Sequence, residues 1–126
     1  MSTEKNKAVL LRWMDAMNKK DLNVLNKLAD ELYTADAIEH DPGLPDFGKG
    51  PEGVKKFVHQ VLKDNPDMHL TLEDMVAEGD KVACRVTFTS TDAATGKPAS
   101  LLILWIDRFE SEKIAEEWEL TAPGEW

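Results

Sequence analysis

The stretch AEEWEL, residues 115 to 120, sets Glu116, Glu117 and Glu119 around Trp118 in a run that otherwise reads as the last strand of a sheet. Carboxylates are poor strand formers and costly to bury without a partner, so the stretch is either a solvated edge or an acid set inside a pocket. Strand alternation puts Ala115, Glu117 and Glu119 on one face and Ile114, Glu116, Trp118 and Leu120 on the other. Parity alone does not say which face turns inward. A carboxyl held against apolar walls keeps its proton to higher pH, and a second carboxyl on the same face raises one of the two further. Such a group exchanges protons near neutral pH, which is what a general acid or base must do. Two other side chains could assist. Arg85 shares a strand face with Ala83, Thr87 and Thr89, a polar set that lines a pocket or meets water. His40, in IEHDPG, follows a short extended piece and precedes a proline turn. At a pocket rim it would pair with a carboxylate and shuttle protons; otherwise it is a turn histidine bonded to the Asp41 backbone. Asp41, before Pro42, reads as a turn or cap residue.

Other chemistries find little support. His40, His59 and His69 lack the i, i+2 or i, i+4 spacing that converges on one ion, and Cys84 stands alone, so no metal site is expected. There is no glycine-rich phosphate loop after a strand and no Gly-x-Ser-x-Gly elbow, so neither a nucleotide cofactor nor covalent serine catalysis is expected. One cysteine cannot form an internal disulfide. The formal net charge of -9 repels phosphate backbones and anionic lipid, and no basic stripe interleaved with aromatics is present, which argues against nucleic acid as a partner. No apolar run is long enough to cross a bilayer, and MSTEKNKAVL lacks the basic region and cleavage site of a signal peptide; the expected location is the cytoplasm.

The elements that would position these residues follow from periodicity. With 42% hydrophobic residues the chain is apolar enough for one core, and residues 1–126 read as a single domain. A Ser or Thr cap and Val9, Leu10, Trp13, Met14 and Met17 predict a helix over about 3–20, and Asp21 caps a second carrying Leu22, Leu25, Leu28 and Leu32. Pro51 opens a third, with Val54, Phe57, Val58, Val61 and Leu62 on one stripe and His59 on the polar side. Residues 69–78, 81–91, 99–109 and 113–120 read as strands separated by the turn segments EGDK, DAATGKP and ESEK. Helices followed by a meander predict an α+β fold, with helices on one face of a curved antiparallel sheet. The run ASLLILWIDRF is apolar at successive positions, so both of its faces must leave water. One face meets the helices, and the other is expected to meet a second copy of the chain, with Trp105 or Trp118 in the interface.

The succession HDPGLPDFGKGPEGVKKFV, NPDMHLTLEDMVAEGDKVACRVTF and KIAEEWEL resembles the SnoaL-like polyketide cyclase family, within the nuclear transport factor 2-like fold, over roughly residues 5 to 121. The resemblance implies a cone of helices and a strongly bent sheet around one deep, mostly apolar pocket. It also implies a proton-transferring acid directly after a tryptophan on the last strand. That position is Glu119 here, where the family more often has Asp, so an extra methylene carries the carboxyl further into the pocket. The Gly-Thr-His that the family often has near the end of the second strand is replaced by Ser90, Thr91 and Asp92. The family places an arginine at the position of Arg85.

Together these readings predict a small cofactor-independent enzyme acting on an apolar carbonyl-containing or epoxide-like molecule. Glu119 would exchange the proton, His40 would assist it, and Arg85 would stabilise charge or orient the acid. Trp13, Met17, Tyr33, Phe57, Trp105 and Glu117 would contact the substrate. Met14, Val61 and Phe109 are further wall candidates, although rows of aromatics and methionines also make plain core. The alternative is a binding protein that holds a small apolar ligand without chemistry.

Overall fold

The computed structural model describes residues 2–126. Ser2 caps helix α1 (Thr3–Lys19), its hydroxyl accepting from the Lys5 N–H at 3.1 Å, and Asp21 caps α2 (Leu22–Leu32) by accepting from the N–H groups of Asn23 and Val24. The chain then passes straight into strand β1 (Tyr33–His40), crosses a loop, and forms α3 (Gly50–Asp64) with Pro51 in its first turn. Strands β2 (His69–Glu78), β3 (Lys81–Thr91), β4 (Pro98–Glu110) and β5 (Lys113–Pro123) complete it.

The α+β architecture expected from periodicity is what forms: helices packed on a five-stranded curved sheet in the order β1-β5-β4-β3-β2. The three hairpin pairs are antiparallel, as their short turns require. β1 is an addition. It lies beside β5 and runs parallel to it, which is possible because most of the chain intervenes between them. Register shifts between Leu72 and Asp74, between Arg108 and Phe109 and between Tyr33 and Ile38 interrupt the ladders, and such bulges sharpen local bending.

Alternation assigns the faces. Val82, Cys84 and Val86 of β3 and Ile103, Trp105 and Asp107 of β4 turn inward with Ala115 and Glu117 of β5. Asn18 pins α1 to the edge strand β2: its side-chain NH2 donates to the Leu70 carbonyl at 2.9 Å, and its side-chain oxygen accepts from the Leu70 N–H at 2.7 Å. This holds Trp13 and Met17 over the concave face. Trp105, expected as one of two interface candidates, is instead an inward side chain only 5% exposed.

Candidate functional site

A cavity of about 420 Å³ opens between the helices and the concave face of the sheet. Buried Tyr33, Trp105 and Glu117 form its inner end, while Leu44, Asp92 and Ala99, all solvent-accessible, stand at its mouth. Its apolar walls come from α1 (Trp13, Met17), α3 (Val54, Phe57, Val61) and inward positions of β3 and β4. Trp13 and Tyr33 meet edge to face with ring centroids 5.4 Å apart, an arrangement that fixes the junction of α1 and β1.

Carboxyls dominate the polar part of this wall. Glu117 and Glu119 project from β5, Glu39 from β1 and Asp41 from the residue after it. One oxygen from each of Glu39, Asp41 and Glu119 lies within 4.8 Å of the others, an oxygen triad of a kind that can hold a hard cation. Register explains the grouping: Glu39 pairs with Glu117 across the parallel ladder, and Asp107 pairs with Glu117 and Trp105 with Glu119 across the antiparallel one. Asp107 is completely buried, and neither of its carboxyl oxygens has a hydrogen-bond partner. The indole N–H of Trp105 lies near that carboxyl but outside hydrogen-bonding geometry.

Burial pushes the carboxyls of Asp107, Glu117 and Glu119 well above the ordinary range, and the neighbouring acids add to it. Glu39 rises to about 7, again through crowding of its carboxyl by protein and then through the charge of Asp41, although the residue as a whole is exposed. The same environment raises the Tyr33 phenol and pushes the Cys84 thiol up to about 12, first by burial and then by Asp107 and Glu117, so neither ionises near neutrality. The site is therefore a store of protons in an apolar box.

Trp13, Met17, Tyr33, Phe57, Val61, Trp105, Glu117 and Glu119 all reach the cavity wall. Met14 and Phe109 are core side chains that do not line it. Arg85 and His40 do not join the site. Even-numbered residues of β3 face inward, so Arg85 points to the outer face, where its Nε donates to Asp74 at 2.7 Å and its guanidinium lies 5.0 Å from the Trp126 ring centroid. His40 does pair with a carboxylate, but that of Glu116, at 2.7 Å on the outer face, and its ring stacks on Trp118 with centroids 5.6 Å apart. On β1 it is the neighbouring Glu39 that lines the cavity.

Asp41 is the turn residue expected, accepting from the Gly43 N–H at 2.9 Å, and it lines the cavity as well. Sequence reasoning passed over Glu39 and Asp107. Asp107 carried a usable signal, since it is an acid two residues after Trp105 in an otherwise apolar run and thus on the same strand face. Glu39 carried none without the parallel pairing of β1. The histidine and cysteine spacing used to judge metal sites says nothing about carboxylates gathered from separate strands.

A model of the SnoaL-like polyketide cyclase family matches residues 7–121. No curated protein matches. Among solved structures, wild-type IdmH from Streptomyces antibioticus, described as a candidate polyketide cyclase, is 26% identical; the match covers 92% of this chain and 91% of that one with a TM-score of 0.76. AclR from Streptomyces galilaeus, described as a candidate hydroxylase, is also 26% identical, covering 95% and 80% of the two chains with a TM-score of 0.77. TsrD from Streptomyces laurentii shares the fold at 23% identity, with 96% and 90% covered and a TM-score of 0.79.

Proposed function

Because the chain belongs to the SnoaL-like polyketide cyclase family, we propose that it is a small cofactor-independent enzyme in which Glu119 takes or gives a proton on an apolar, carbonyl-containing or epoxide-like molecule. One observation carries this reading: Glu119 stands on the wall of an apolar cavity, its carboxyl raised by burial and by the acids beside it. A carboxyl that burial keeps protonated above the ordinary carboxylate range donates its proton to a developing alkoxide or enolate and recovers it afterwards. With Arg85 on the outer face, the oxygen on which charge develops meets no Lys, Arg or His among the described residues of the wall. Hydrogen-bond donors take that role, namely the un-ionised Tyr33 hydroxyl and whichever of Glu117 and Glu119 remains protonated. Replacing Glu119 by Gln keeps the shape and removes proton exchange. In a turnover screen of apolar ketones, esters and epoxides, Glu119→Gln is expected to lower turnover at least about a hundredfold on any substrate found. Unchanged turnover ends the assignment.

The lack of a basic side chain on the described cavity wall favours a second reading, a carrier that binds without reaction. It predicts saturable binding and no product. The homodimer is also retained as a proposal. Leu104 (54% exposed), Ile106 and Leu120 (62% exposed) form with Trp118 an apolar patch across β4 and β5 on the outer face, where Leu104 pairs with Leu120 and Ile106 with Trp118. A second copy of the same patch would cover it.

A further inference from the structure

Among the described residues, every charged side chain on the cavity wall is an acid: Glu39, Asp41, Asp64, Asp92, Glu117 and Glu119, with no Lys, Arg or His. Off this wall, on the inward side of β4, Asp107 is fully enclosed and neither of its carboxyl oxygens has a partner among the described residues; across the ladder stands Glu117, only 7% exposed. A neutral apolar ligand entering the cavity would desolvate the acids of its wall and offer no charge in return. The rest of the wall supplies aromatic rings: Trp13, Tyr33, Phe57, Phe88 and Trp105. Ring faces attract cations, most strongly where water is excluded.

We propose that the ligand of this cavity carries a protonated amine on an apolar or aromatic body, with the ammonium seated among Glu39, Asp41, Glu117 and Glu119 and the body against the rings. The inference rests on the reading of this cavity as the functional site and adds the charge of what enters it. The oxygen triad alone would also suit a divalent metal. A bare ion, however, has no use for five aromatic rings and a cavity many times its volume.

The proposal has a pH signature of definite sign. The titratable groups on the cavity wall are Tyr33 and Glu39 from β1, Asp41 after it, Asp64 from α3, Asp92 after β3, and Glu117 and Glu119 from β5, while Cys84 of β3 and Asp107 of β4 are buried off the wall. None is a base. Carboxyls that burial keeps protonated in the free protein must lose protons to pair with the ammonium, so binding releases protons and tightens as pH rises, for Glu39 as pH passes about 7. A neutral ligand that accepts hydrogen bonds from protonated carboxyls would show the opposite trend.

Calorimetric titration of the intact protein with 2-naphthylmethylamine and its neutral isostere 2-naphthylmethanol, at about pH 6 and about pH 8, tests this. Expected are amine binding at least about tenfold tighter than alcohol at the higher pH, tightening of the amine between the two, and a heat that varies with buffer in the sense of proton release. Glu117→Gln should weaken the amine about tenfold and leave the alcohol within about twofold; should that variant not fold, the wild-type comparison decides alone. Alcohol binding as tight as amine overturns the charge assignment while leaving the cavity as the site. Failure of both probes overturns both. Mn²⁺ alone binding more tightly than the amine, and displacing it, makes the acids a metal site and likewise overturns the proposal.

Discussion

Asp107→Asn should make the protein more stable at neutral pH, and the gain should grow with pH. Asp107 is 0% exposed, neither carboxyl oxygen has a hydrogen-bond partner, and Glu117 sits directly across the ladder. Burial and neighbouring carboxyls raise its titration point. Between the unfolded and folded titration points the folded chain therefore holds a proton that the unfolded chain has released. In that interval stability falls as pH rises, by up to about 1.4 kcal/mol per pH unit for one proton. The stability is fully present below the unfolded value near 3.8 and is lost on the way up to the folded one.

Asparagine has nearly the same shape and no proton to lose, so its curve should be flatter by that slope. One pH unit of the interval corresponds to about 1.4 kcal/mol, or roughly 5 °C in Tm for a chain of this size. The assay is urea unfolding of wild type and variant at several pH values from about 4 to about 8, with thermal melts alongside. A variant that loses stability relative to wild type as pH rises would show that the Asp107 carboxylate is ionised and stabilised in the fold. The account of the acid cluster as a strained proton store would then be wrong.

Gly50→Ala should be strongly destabilising: Gly50 has φ +66°, and an added Cβ would sit 2.2 Å from the Ala35 carbonyl oxygen, so β1 or the start of α3 must move. A loss of more than about 2 kcal/mol is expected in urea unfolding, and a change within about 0.5 kcal/mol would contradict the geometry. Light scattering at micromolar concentration should give a dimer mass for wild type and a monomer mass for Leu104→Glu combined with Ile106→Glu, since two charges in the centre of an apolar interface are not tolerated; a wild-type monomer removes the dimer proposal.

The helices were legible because their apolar stripes and caps are local signals: Ser2, Asp21 and Pro51 mark the starts that form. The four strands from His69 onward were legible for the same reason, with alternation and polar turns between them. β1 was not, because TADAIEH has neither a continuous apolar face nor a tight turn to a neighbour, and its partner lies about eighty residues away. That one omission hid Glu39. The parity of β5 was readable, but its inward face was settled only by comparison with a family. The same comparison suggested Arg85, whose own parity, odd on a strand with even residues inside, sends it to the opposite face.

Three acids on adjacent inward positions, Asp107, Glu117 and Glu119, oppose folding through desolvation and through each other. The fold tolerates them because the surrounding core is large, and residues that destabilise a well-packed domain concentrate where function requires them. Stability and activity should therefore move in opposite directions here. If Glu119 performs proton transfer, Glu119→Gln loses turnover while the protein gains or keeps stability at neutral pH. A side chain that merely supported the fold would lose both. Measuring the two quantities on one variant thus separates a catalytic carboxyl from a structural one without knowledge of the natural substrate, provided any turned-over compound is at hand.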